Sequence, residues 1–82
     1  MVDLGIVVVS YNTRQLTADC LHSVYQALEA ERLAAQVWVI DNASGDGSAE
    51  MIGEVFPQAQ LIASAENLGF ARGTNVGIDA IL

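Results

Sequence analysis

Apolar and polar positions along this chain fall into blocks of two kinds. Leu4–Ser10 (LGIVVVS) is nearly continuous and rich in β-branched residues, the pattern of a parallel strand covered on both faces. Val37–Ile40 (VWVI) and Gln60–Ser64 (QLIAS) are shorter versions. Between the first two, Leu16, Cys20, Val24, Ala27 and Leu28 share one helical face, with polar residues elsewhere. Asn12 with Gln15 three positions later reads as a capping box, which starts this helix near Thr13. A second helix is predicted from Ser48 as N-cap, with Met51, Ile52 and Val55 turned inward and an end before Pro57. A third begins around Gly69–Phe70 and runs to Leu82.

The order β-α-β-α-β-α implies an α/β fold, a Rossmann-like three-layer arrangement with a parallel sheet and right-handed crossovers. No internal repeat, low-complexity tract or linker interrupts it, so the 82 residues are one domain or part of one. Ligands of such sheets bind outside the carboxyl ends of the strands. Strand one ends in Ser10-Tyr11-Asn12, strand two in Asp41-Asn42, and strand three leads into Ser64-Ala65-Glu66-Asn67. The three polar clusters should lie on one edge, where they can share a ligand.

Composition narrows what that ligand is. A hydrophobic fraction of 52% marks a folded piece. A chain this short buries only about 60% of the surface it exposes when unfolded, so its core is marginal. Apolar runs such as Ile6–Val9 fall far short of the ~20 residues that span a bilayer. The start of the chain has no basic n-region, which argues against a secretory signal. A single cysteine, Cys20, excludes an intrachain disulfide and fits a reducing, cytoplasmic setting. Three arginines, no lysine and ten acids give a net charge of −7, which disfavours nucleic acid as a partner. The same field opposes a diphosphate unless a metal cation or a local arginine offsets it.

Common phosphate cradles are missing. The first strand-to-helix turn, SYNTRQ, has no glycine where a dinucleotide fold needs G-x-G-x-x-G, and no lysine is present for a P-loop. As an EF-hand, DNASGDG fails because Ala43 and Gly45 stand at ligand positions. A carboxylate at Asp41 accepts hydrogen bonds and suits a base N–H or ribose hydroxyls. Tyr11 can lie against a base. Arg72, early in helix three, can face a phosphate together with the helix N-terminal amides.

With these residues in view, VVVSYN, VWVIDNASGDGSAEMI and ENLGFARGTNVGI together resemble the N-terminal portion of family 2 glycosyltransferases of the GT-A fold. The third motif is similar to the rhamnosyltransferase-like branch. The resemblance covers essentially the whole chain. It implies that Tyr11 and Asp41 contact the nucleobase, that Asn12 and Asn42 shape the pocket, and that Asn67, Gly69 and Arg72 lie near the ribose and diphosphate. It further implies an inverting hexosyl- or deoxyhexosyltransferase of polysaccharide or cell-surface glycan synthesis. Such an enzyme uses a UDP- or dTDP-sugar donor and a glycan or lipid-linked acceptor, at the inner face of the membrane or in the cytoplasm.

That family holds a divalent cation, manganese or magnesium, through an Asp-x-Asp-type motif, and no Asp-x-Asp occurs here. The 82 residues therefore read as a truncated nucleotide-sugar-binding half, with catalytic and metal residues absent and no transferase activity of its own. The alternative is a non-catalytic α/β binding or self-association module, in which an unpaired sheet edge beside strand one drives homo-oligomers. A receiver-like or flavodoxin-like domain fits less well, because SYNTRQ supplies neither acids nor a phosphate loop. Among the remaining residues, Gly45–Ser48 reads as a turn and cap, Cys20 and Trp38 as core, and His22 as a solvated helix position. Arg72 has surface partners in reach at Glu66 and Asp79, and Asn75 and Gly77 serve either helix packing or a ligand.

Overall fold

A computed structural model describes residues 3–67 and 69–81. Six elements alternate: β1 (Leu4–Ser10), α1 (Arg14–Ala30), β2 (Ala35–Asn42), α2 (Ser48–Val55), β3 (Gln60–Ser64) and α3 (Gly69–Ile81). This is the predicted order, and the architecture is a Rossmann-like α/β fold. The expected last residue of α3, Leu82, lies outside the described residues. Strand β2 is longer than its apolar run: the ladder to β3 continues through Asp41↔Ala63 and Asn42↔Ser64. Backbone pairing thus carries the strand past the point where its side chains turn polar.

All pairs are parallel, in the order β1-β2-β3. Alternation along each strand assigns the two faces. One face carries Ile6, Val8, Val37, Val39 and Leu61 and packs with Leu21, Met51, Ile52 and Phe56 from the α1–α2 side. Leu21, Val39 and Ile52 are fully buried, each contributing about 2 kcal/mol by removal from water. The opposite face carries Val7, Val9, Ile40 and Asn42 beneath α3, which touches both β1 and β2. The result is three layers. No helix among the described residues is long and apolar enough to cross a membrane.

Helix α1 sits rotated from its expected face. Thr17 and Leu21 are buried and Ala18, Val24, Tyr25 and Leu28 pack on the core, whereas Leu16 is 70% exposed and Cys20 and Ala27 are exposed. The cause is a cluster of hydroxyls at the helix start. Ser10 Oγ lies 3.0 Å from Thr17 Oγ1, which lies 3.0 Å from Thr13 Oγ1. This satisfied polar contact seats Thr17 on the sheet and turns Leu16 and Cys20 toward the outer edge of β1. With Val8, Val9, Thr13 and Thr17 they line a hollow of about 160 Å³ there. Cys20 is therefore not a core residue.

Two caps also differ from expectation. The Asn12–Gln15 capping box does not form: Thr13 is the N-cap, without a side-chain cap, and Gln15 Nε2 donates to Asp19 Oδ1 at 3.0 Å. Gly47, left-handed at φ 82°, caps α2, and Ser48 is the first helical residue. Met51 and Ile52 point inward as predicted, but Val55 is 50% exposed. The helix ends there, and the Phe56 ring, 3% exposed, takes the core position. Phe56 meets His22 edge-on at 4.9 Å and stacks on Tyr25 at 6.1 Å. His22 remains exposed, as expected, and Trp38 is half-buried with its Nε1–H on Gln36 Oε1.

The close approach of α3 to the sheet requires glycine. A Cβ at Gly73 would lie 3.1 Å from Val9 Cγ1 and 3.2 Å from Asn42 Nδ2, and one at Gly77 would meet Val7 more closely still. Gly77 is therefore a packing residue, while Asn75 on the same helix is exposed. Alanine in a helix normally stabilises by about 1 kcal/mol relative to glycine. Gly77→Ala should instead lower stability by about 1–3 kcal/mol through overpacking, and Val7→Ala in that background should recover part of the loss in denaturant titrations. The Tyr25 hydroxyl is buried without a hydrogen-bond partner among the described residues, and burial raises its pKa. Tyr25→Phe should leave thermal stability unchanged or raise it by up to about 1 kcal/mol.

Candidate functional site at the carboxyl edge of the sheet

Parallel register sets the site. Ser10 pairs with Asp41, so β1 and β2 end level and release their loops side by side. The loops do not stand apart. Asn12 N–H donates to Ser44 Oγ at 2.9 Å, and Gly45 N–H donates to Asn12 Oδ1 at 2.7 Å. Asn12 takes a left-handed φ of 50°, which its short polar side chain tolerates and which turns it across to the second loop. One asparagine thus binds the neighbouring loop from both its backbone and its side chain.

Asp46 reinforces the junction. Its Oδ2 accepts Arg14 N–H at 3.0 Å, at the first residue of α1. Its Oδ1 accepts Ser48 N–H at 3.1 Å and the Ser48 hydroxyl, at the first residue of α2. A single carboxylate therefore caps two helices whose exposed N–H groups carry partial positive charge. The Ser48 hydroxyl, and then the Arg14 and Ser48 amides, hold its pKa below the usual carboxylate range. Gly45–Ser48 is a turn and cap as expected, and one carboxylate does the work for both helices.

Asp41 is enclosed. It is 2% exposed; its Oδ1 accepts the Ser44 hydroxyl at 2.6 Å and its Oδ2 accepts Ser44 N–H at 3.2 Å. Asn42, 1% exposed, points to the other face and donates from Nδ2 to the Gly69 carbonyl at 3.3 Å, tying β2 to the start of α3. Asn67 Oδ1 accepts Gly69 N–H at 2.8 Å, and Gly69 is left-handed at φ 78°.

The expected site residues separate into two sets. Tyr11 is 49% exposed, and Asn12, Asn67, Gly69 and Arg72 are exposed. Ser10, Asp41 and Asn42 lie beneath, each bonded to a neighbouring element or loop. Arg72 makes no ion pair with Glu66 or Asp79 among the described residues. The residues alone mark Asp46 only as part of a turn and cap and do not mark Ser44, although side-chain oxygens at every second position, Ser44-x-Asp46-x-Ser48, are a signal of a loop that bonds to itself. No group of three or more His, Cys, Asp or Glu that could hold a metal forms among the described residues. Both rim acids already have hydroxyl and amide donors on their oxygens, so they do not fit a cation.

The family model for glycosyl transferase family 2 matches residues 5–81, from the first strand through the third helix. No curated protein matches the chain.

The depressed pKa of Asp46 makes a pH prediction. Its stabilising contribution is complete above the unfolded carboxylate value of about 3.9 and disappears as pH falls through the lower folded value. Asp46→Asn should therefore be less stable than the wild type at pH 7. The gap should close as both are titrated below about pH 4 in parallel denaturant melts.

Proposed function

Because the chain belongs to glycosyl transferase family 2, we propose that its joined β1–α1 and β2–α2 loops bind the nucleoside of a nucleotide-sugar donor. Glycosyl transfer from such a donor to an acceptor is the role of the family. The observation that carries the reading is the level end of β1 and β2, where exposed Tyr11 and Asn12 border the loop that covers Asp41. Tyr11 offers a face for the base, Asp41 an acceptor for a base N–H or ribose hydroxyl, and Asn12 and Asn42 hold the walls. Asn67, Gly69 and Arg72 stand at the start of α3, where helix amides and one guanidinium favour the ribose and diphosphate.

UDP- or dTDP-linked hexose or deoxyhexose is the donor in this reading, transferred with inversion to a hydroxyl of a glycan or lipid-linked acceptor, as in the rhamnosyltransferase-like branch. Members of the family commonly use a divalent metal. No step through a metal is assigned to these residues, whose acids do not fit one, and no catalytic base is assigned among them. These 82 residues then supply nucleoside binding and no bond-making step.

A second reading is favoured by a specific feature. Among the described residues the outer edge of β1 is unpaired, and Leu16, 70% exposed, borders the hollow beside it. Self-association through this edge makes the chain an assembly module. Sedimentation of a compact monomer at high concentration would dismiss it.

Titration of the purified chain with UDP and dTDP, with and without manganese, should shift the Tyr11, Asn12 and Ser44 resonances saturably. Asp41→Asn should weaken binding about tenfold or more, the value of a hydrogen bond to a charged group. Resonances unmoved at millimolar nucleotide, or sugar transfer by the chain alone, would overturn the corresponding part of the assignment.

A further inference from the structure

The acid proposed to meet the nucleoside is already occupied. Asp41 is 2% exposed, and among the described residues the carboxylate has one partner, Ser44, on both oxygens. The Ser44 hydroxyl is used on two sides: it donates to Asp41 Oδ1 and accepts Asn12 N–H. A relay therefore runs from the first loop through Ser44 to the buried acid. The turn that brings Ser44 back is tight. Ala43 N–H donates to the Asp41 carbonyl at 3.1 Å, and Ala43 takes a left-handed φ of 60°. Alanine has no side-chain hydrogen bond to offset that conformation, so the closed turn stores strain.

We propose that Ser44 is a latch on Asp41, and that nucleoside binding exchanges its hydroxyl for a ligand N–H or O–H donor. The proposal rests on the nucleoside reading of the rim and adds how that site opens. A carboxylate is acceptor-only, so what replaces Ser44 Oγ must donate; inorganic phosphate or pyrophosphate is itself an anion at neutral pH and is repelled there. The latch thereby selects for the nucleoside end of a donor over its phosphate end. Release of Ser44 also takes the acceptor from Asn12 N–H, so the first loop senses the exchange. Ala43 strain biases the turn toward opening, and the closed population reduces the apparent affinity in proportion.

Two substitutions act in opposite directions. Ser44→Ala removes the internal competitor at Oδ1 while keeping the backbone bond to Oδ2, and should bind uridine or UDP about tenfold more tightly than wild type. Ala43→Gly relieves the left-handed penalty, stabilises the closed turn and should bind several-fold more weakly. Ser44→Thr keeps the hydroxyl and should behave as wild type. Calorimetric titration with uridine and UDP, with inorganic phosphate as the anion control, measures all three on chains shown folded by their amide spectra. Wild-type binding with Ser44→Ala equal or weaker overturns the latch and leaves the nucleoside reading standing. Absence of binding in both wild type and Ser44→Ala overturns the nucleoside reading and the latch with it. If Ser44→Ala does not fold, Ala43→Gly decides: weaker binding supports the latch, and equal or tighter binding overturns it.

Discussion

Parallel pairing of β1 with β2, residue for residue up to Ser10 and Asp41, is the constraint from which the rest of the rim follows. Two strands that end level deliver two loops and two helix N-termini into the same small volume. Each helix start brings N–H groups without intrahelical acceptors. The polar residues after the strands answer that demand: Asn12 crosses to Gly45, Asp46 crosses to Arg14, and Ser48 closes onto Asp46. The edge is polar because the topology leaves amides there to be satisfied, before any ligand is considered. A nucleoside site built on such an edge borrows donors and acceptors that already serve the fold.

The same economy appears on the opposite face. Asn42 leaves the sheet beneath α3 and reaches the Gly69 carbonyl, while Gly73 and Gly77 let the helix descend onto Val9 and Val7. Larger residues would lift α3 and carry Arg72 away from the ends of the strands. Packing along the helix thus determines where the one positive charge of its first turns stands.

Strands and element order were legible because a nearly continuous β-branched run admits few alternatives, and alternation with helices of this length implies the parallel sheet. The orientation of α1 was less so. A hydrophobic count assigns Leu16 and Cys20 to the core and Thr17 to solvent, but Thr17 is held inward by Ser10 and Thr13, and no count of apolar residues reports a hydroxyl that finds partners. The misplaced capping box has a related cause: Asn12 has its side-chain partner 33 residues away, at Gly45, where local spacing is silent. At the site, the location of Asp41 at a strand end was readable from Ile40 giving way to polar residues. Its enclosure was not, because that depends on a left-handed alanine in the turn that returns Ser44.

Asp41 and Asp46 show how one short loop divides two tasks between identical side chains. Asp46 meets donors from α1 and α2, and satisfying both helix starts at once leaves it little freedom to exchange partners. Among the described residues the Asp41 carboxylate meets donors from Ser44 alone, three residues away, across a strained turn. Losing Asp46 bonds would uncap two helices, whereas release of the Ser44 hydroxyl gives up its bond to Asp41 Oδ1 and its acceptance of Asn12 N–H, the first of which a ligand donor can replace. Fewer fold contacts are therefore at stake at Asp41 than at Asp46, although Asp41 is the more buried of the two. Accessibility alone would rank these acids the other way; the cost of giving up present partners favours Asp41 in the proposed nucleoside reading.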